Sequence, residues 1–290
     1  MRRPLSQARE GMILLNVLVI VAIAAAAVAV MIAAQDIEVQ RTIRLRDASQ
    51  AQAYGRAGEL SAVVALRRDG VSAPTLDAYS EPWAAIAQRP IAIPNGRFAL
   101  AVVDEQARFN LNSLKSGDAI EASRFARIAR ELGVSQPGVV AIAGVIAAVG
   151  PLQDESLLRT AGVDPADLER LRPFVAFLPE DASLNLNTAS PELLRLLLED
   201  ADAVRRLVDL RNSKGALVEA DLATLGLQNV GGLTSSHFAV VTDVRVGDVE
   251  QRVQSRLART ITPEQVTVSV SSRRRIDAGV RTRTLSPAPG

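Results

Sequence analysis

The sequence predicts an α+β fold: a long N-terminal helix on an antiparallel sheet, with a large all-helical insertion between the strands. Three observations carry this. Met12 to Ala34 is a run of 23 almost unbroken apolar residues. Apolar positions then recur at three- and four-residue steps as far as Leu66, with no proline from 12 to 68. Alternating, strand-like patterns occur before residue 112 and again after residue 237, and between them the period is helical throughout.

The apolar run is long enough to cross the roughly 30 Å hydrocarbon core as one helix, which satisfies its own backbone in lipid. Arg2, Arg3 and Arg9 precede it, while Gln35, Asp36 and Glu38 follow. The positive-inside rule therefore predicts an inner-membrane, single-pass chain with a cytoplasmic N-terminus and an exported, periplasmic remainder. Its one polar side chain is Asn16. Three fates fit the segment: a plain signal anchor, a secretory signal cut near Ala26 or Ala34, and a leader cut after Gly11. In the third, residues 1–11 are removed and Met12 opens a mature chain that keeps the helix at 12–34. Gly11, where the charged leader meets the apolar run, is the residue that suggests it.

Composition narrows the function. The 290 residues have room for one large or two modest domains beyond the membrane helix. There is no cysteine, so disulfides, thiolate metal sites and cysteine nucleophiles are excluded. A net charge of +1 argues against a general nucleic-acid binder, whose phosphate contacts need many uncompensated cations. Any catalytic triad would rest on His237, the sole histidine, at the mouth of a strand, and no glycine-rich phosphate loop follows a strand. The reading is therefore non-enzymatic.

The helix from residue 12 is expected to continue to Arg68, its second half amphipathic and laid on the sheet; a break near Gln35 is the alternative. Residues 71–97, with Pro74, Pro82, Pro90, Pro94 and Asn95-Gly96, read as a loop-rich connection. Phe98–Asp104 and Ala107–Asn112 read as two strands pairing with each other. Asp118 and Glu121 have capping-box spacing before the first inserted helix. An almost wholly apolar helix runs from Gln136 to Val149, and others from Asp164 to Arg172, from Ser190-Pro191, from Asp200 to Asn212 and from Glu219 to Leu225. Three strands follow from His237, turning at Gly247-Asp248 and Thr262–Glu264. The division is thus 35–112 with 237–276 for the sheet-bearing domain, 113–236 for the insertion and 277–290 for a disordered tail.

Leu184–Leu194, LNLNTASPELL, resembles the opening of a helix-hairpin-helix module, as in competence-type DNA receptors. In those, glycines between two helices let backbone N–H groups face a phosphate. Here Glu199-Asp-Ala-Asp202 fills that link with carboxylates, so no nucleic-acid partner is expected, and a membrane-tethered DNA receptor is the runner-up. Ala107–Leu114 (ARFNLNSL), Leu178–Pro191 and the strands from Phe238, together with the leader, resemble the minor pseudopilin K of type II secretion systems (general secretion pathway protein K). The resemblance covers nearly the whole chain.

That resemblance implies a pilin-like fold, cleavage by the prepilin peptidase between Gly11 and Met12, and the minor pseudopilins I and J as partners. It implies a non-catalytic role at the tip of the pseudopilus, initiating or limiting its assembly for export across the outer membrane. Asn16 occupies the fifth mature position, where most pilins carry a glutamate paired with a neighbour's terminal amine. A buried-in-lipid carboxylate costs about 2.5–3.5 kcal/mol unless paired, and a tip subunit has no neighbour above it. Calcium is a family possibility associated with a tryptophan- and aspartate-rich stretch. The comparable Val140–Gly150 has no carboxylate, so no metal ligand is assigned.

Overall fold

The computed structural model describes residues 5–276. The first four leader residues and the tail at 277–290, read above as disordered, lie outside the described residues. Helix α1 (Leu5–Ser72) is unbroken from the leader through the apolar run to the head, so the predicted continuity holds and no break occurs at Gln35. At 1.5 Å per residue its 68 residues extend on the order of 100 Å. Five antiparallel strands take its C-terminal half: β1 (Gln88–Ile93), β2 (Gly96–Asp104), β5 (His237–Val246), β6 (Val249–Ile261) and β7 (Val266–Arg275), in the order β1-β2-β5-β6-β7. Because β2 pairs with β5 across the insertion, the sheet is assembled from both ends of the sequence.

Small residues set how closely α1 lies on this sheet. Ala51, Ala62 and Leu66 are buried against it. At Gly58 an added Cβ would stand 2.9 Å from the Phe98 ring and 3.0 Å from Thr242, so glycine permits the approach. Two positions of the predicted stripe turn away instead: Leu45 and Leu60 are each about 60 % exposed. The 71–97 stretch is not merely a loop. It supplies β1 and the short helix α2 (Pro82–Ala85), whose Trp83 is buried between α1 and the sheet, 5.2 Å from the Phe238 ring. Asn95-Gly96 is the β1–β2 turn, with Asn95 at φ 57° and Gly96 where a Cβ would strike the Arg245 carbonyl.

The strand expected at 107–112 also differs. Only Phe109–Asn110 (β3) is extended, and it pairs in parallel with β4 (Val175–Ala176) rather than with β2. The alternation of Phe109 and Leu111 with Asn110 and Asn112 reflects side-chain hydrogen bonding, not a ladder. The insertion that follows holds α3 (Ala119–Glu131), α4 (Gln136–Val149), α5 (Ser156–Thr160), α6 (Pro165–Leu171), α7 (Pro191–Leu197), α8 (Ala201–Lys214) and α9 (Glu219–Leu225) around its own leucine-rich core.

Two parts of this insertion repeat one device. Asn110 Oδ1 accepts from Asn112 N at 3.1 Å, and Asn185 Oδ1 accepts from Asn187 N at 2.9 Å. The second asparagine of each pair then grips both backbone groups of one distant leucine: Asn112 holds Leu152, and Asn187 holds Leu217. Each gripped leucine lies two residues beyond the glycine that caps the preceding helix, Gly150 after α4 and Gly215 after α8. A short helix follows in each, closed by Val163 N to Leu158 O and by Leu227 N to Leu222 O. The two Asn-Leu-Asn segments are therefore the staples of two similar helical units.

Candidate functional site

Two regions carry the chemistry: the projecting half of α1, and the buried polar junction that fixes the insertion to the head. Gly11 and Met12 lie within α1. From Leu14 onward the apolar run is exposed all round, Leu14, Leu18 and Ile20 each by more than 60 %. Among the described residues nothing of the chain packs against this span, and the helix is long and apolar enough to cross a membrane. Asn16 is exposed on this span. Beyond it, residues 35–46 form a stem that projects past the sheet, with Ile37, Val39 and Leu45 more than half exposed among Arg41, Arg44 and Arg46. A groove of about 740 Å³ runs between this stem and Val249 at the β5–β6 turn, walled by Ile37, Leu45 and Ala48.

The junction is built around Asp104, at the end of β2. Its Oδ1 accepts from Gln106 N at 2.8 Å; its Oδ2 accepts from Thr188 Oγ1 and Ser235 Oγ at 2.6 Å and from Asn185 Nδ2 at 3.0 Å. Asn185 also donates to the Asp77 carbonyl at 3.0 Å and to Ser235 Oγ at 2.8 Å. One asparagine of the second staple thus ties the insertion to β2, to the 71–97 connection and to the segment entering β5. Burial pushes Asp104 up to about 6, held back by the Ser235 and Thr188 hydroxyls.

Next to it sits an ionic cluster. Arg259, on β6, is 3 % exposed. Its guanidinium donates to Asp69 Oδ2 at 3.0 Å, to both Asp77 oxygens at 2.5 Å and to Ser235 O at 2.7 Å, and lies 5.0 Å from the Phe238 ring centre. Burial, with the nearby Glu81 and Asp77 carboxylates, pushes Asp69 up to about 7 against the pull of Arg259. Asp69, Asp77 and Glu81 bring carboxylate oxygens within 4.8 Å of one another, the spacing of a metal site. Calcium does not fit here. The Arg259 guanidinium already occupies the oxygens of Asp69 and Asp77, and Glu81 Oε2 is spent on Ala78 N and Trp83 Nε1. A calcium ion needs 6–8 converging oxygens, not a resident cation.

Sequence reading missed Asp69, Asp77, Asp104 and Arg259, because nothing in their spacing marks them; only the fold brings them together. His237 occupies a corner: its Nδ1 stands 3.1 Å from Ser236 Oγ and 3.4 Å from Gln106 Oε1, and burial lowers its pKa. Those contacts hold the entry to β5. The hairpin-like link between α7 and α8 likewise serves the fold. Glu199 pairs with Arg127 of α3, and Asp200 caps α8 by accepting from Asp202 N at 2.8 Å. The helix N-terminus that a phosphate would need carries a carboxylate.

An apolar helix that continues into the head, an antiparallel sheet laid on its distal half and a helical insertion between strands define a pilin-like, membrane-anchored subunit. Within that class the chain is similar to type II secretion system protein K of Pseudomonas aeruginosa, at 27 % identity over 302 residues, 88 % of this chain and 90 % of that protein. The resemblance to pseudopilin K read from the two asparagine segments and the leader therefore extends along most of the sequence. The fold matches a chain of the GspK-GspI-GspJ complex of the enterotoxigenic Escherichia coli type 2 secretion system, with TM-score 0.65 and 21 % identity over 82 % of this chain and 100 % of that chain. No family model matches the sequence.

Proposed function

We propose that the protein is the minor pseudopilin K of a type II secretion system, a non-catalytic subunit that caps the pseudopilus and initiates or limits its assembly. The observation that carries this reading is the pairing of an exposed helical stem with an oversized head. Shaft subunits stack their heads around closely packed helices, and an insertion of more than 100 residues between β2 and β5 makes this head bulkier than such stacking favours. The similarity to protein K supports it, as does the likeness in fold to a chain solved together with GspI and GspJ.

The N-terminus is cytoplasmic and the head periplasmic in this reading, as the flanking charges favour. Prepilin peptidase cuts between Gly11 and Met12, leaving Asn16 at the fifth mature position with no carboxylate to pair. The minor pseudopilins I and J dock their own helices on the stem at residues 35–46, where Ile37, Val39 and Leu45 offer apolar surface. The test is to co-express the full-length chain with its system's peptidase and pseudopilins I and J, and weigh the purified assembly intact. One processed copy beginning at Met12, bound to I and J, is the expected result. A polymer containing many copies of this chain would place it in the shaft, and full-length protein alone would overturn the leader assignment.

A further inference from the structure

The face of α1 that packs on the sheet does not end where the sheet ends. Ala51, Gly58, Ala62 and Leu66 lie against side chains of β2, β5 and β6. At three- and four-residue steps toward the N-terminus the same face carries Ala48, Arg44, Arg41 and Ile37. The sheet stops level with Asp47, since a Cβ on Gly247 in the β5–β6 turn would stand 2.4 Å from Asp47 Oδ2. Below that level the face is uncovered, and Val249 closes the upper end of the groove of about 740 Å³ that runs along it.

This groove is apolar at Ile37, Leu45 and Ala48, and its charges come in a fixed order. Asp36 stands at the membrane end, with Arg41 and Arg44 above it. Among the described residues neither Asp36 nor Arg44 makes an ion pair. Arg41 reaches only Glu38, at 3.9 Å, with both side chains 71 % exposed, and a pair that open contributes little. Arg46, by contrast, is held by Asp47 at 3.2 Å. At 1.5 Å per residue, Arg41 and Arg44 stand about 10 and 15 Å beyond Ala34, where the apolar run ends. The whole groove thus lies within about 20 Å of the bilayer, beside a helix that leaves it, and a second membrane-anchored helix enters it without bending.

We infer that the groove seats a helix of a different membrane-anchored subunit, parallel to α1, with carboxylates facing Arg41 and Arg44. In that partner the carboxylates fall about 7–10 residues beyond its own apolar run, the spacing of the two arginines from Ala34. A second copy of this chain at the same depth is the wrong occupant, because its Arg41 and Arg44 would meet the same two arginines. An anionic lipid is wrong too: its phosphate sits at the foot of the groove, where Asp36 and Glu38 repel it. Resting on the reading of the chain as a pseudopilin with helical partners, this seat specifies which face of the stem is used and what the partner carries.

The test places the photocrosslinker benzoylphenylalanine at Leu45, on the groove, or at Val39, on the opposite side of the helix, each more than half exposed. The full-length chain is co-expressed with its system's peptidase and pseudopilins I and J, irradiated, and the crosslinked peptides are identified by mass spectrometry. From Leu45 the expected product joins I or J within two turns of a carboxylate placed as above. R41E/R44E is expected to lower that yield about tenfold and to leave the Val39 yield unchanged. Crosslinks to I or J from Val39 but not from Leu45 would overturn the groove and spare the pseudopilin reading. No crosslink from either position would overturn both. Capture of a second copy or of lipid alone from Leu45, a joined segment without carboxylates, or a yield indifferent to R41E/R44E would each overturn the seat.

Discussion

Replacing Arg259 by methionine tests whether the buried cluster holds the head together by charge. The guanidinium makes close contacts with Asp69, Asp77 and Ser235, and methionine keeps the length and much of the packing over Phe238 while removing every donor. Three carboxylates would then share one buried volume with no cation. Breaking a buried ion pair by removing one partner costs about 3–5 kcal/mol. With a urea slope of about 3 kcal/mol per molar, the midpoint should fall by roughly 1–1.7 M. Trp83 is the only tryptophan and lies in the same core, so its fluorescence reports the transition in the nanodisc-bound chain. Protonation relieves unpaired carboxylates, so the loss should be greatest at pH 7.5 and shrink by pH 5.5. An unchanged midpoint, or a loss indifferent to pH, would refute the charge argument and leave Arg259 a packing residue.

The unsubstituted chain should lose stability as pH rises. Asp69 and Asp104 keep their protons to about 7 and about 6 when folded, against an ordinary 3.8, so between those values the folded state binds more protons and is favoured at the lower pH. Glu59, held below its ordinary value chiefly by Arg273, contributes stability lost only as pH falls through the acid range below 4.5. A urea midpoint that peaks near pH 5 is expected, and one that climbs steadily to pH 7.5 would contradict the assignment. Asn187→Ala should cost about 2–4 kcal/mol in the same assay, because it orphans both backbone groups of buried Leu217; a neutral result would remove the staple's importance. Titrated with duplex DNA, the full chain should give no salt-sensitive complex, and a micromolar one weakening steeply with salt would revive the receptor reading.

What could be read from the sequence was whatever is local or periodic. The apolar run, the long helix, the Ser190-Pro191 start and the three closing strands each announce themselves within about a dozen residues, and the structure places them there. The misreadings share one cause. Phe109 to Asn112 alternates like a strand because Asn110 and Asn112 turn inward to bond backbone groups of the 150–182 region, a partner set invisible at short range. β1 was hidden by Pro90, tolerable only because the strand is an edge. The ionic cluster draws on positions 69, 77 and 259, and no spacing rule joins residues more than 180 apart.

The chemistry of the junction bears on what the insertion is for. Apolar surfaces tolerate sliding, whereas a buried polar network is satisfied in one arrangement and costly in others. Here α1 is continuous from the apolar run to Asp69 near its C-terminus, Asp69 is bonded to Arg259, and Arg259 shares Asp77 and Ser235 with the Asp104–Asn185 network. The chain of bonds leads from the anchoring helix to the second asparagine staple with no flexible step between. The insertion is therefore tied to the anchoring helix through polar bonds as well as through the chain. A head that only filled space would need no such linkage. A head held in one orientation on its anchoring helix would, and the bonded junction at Asp104 is the feature that fixes the insertion to the sheet.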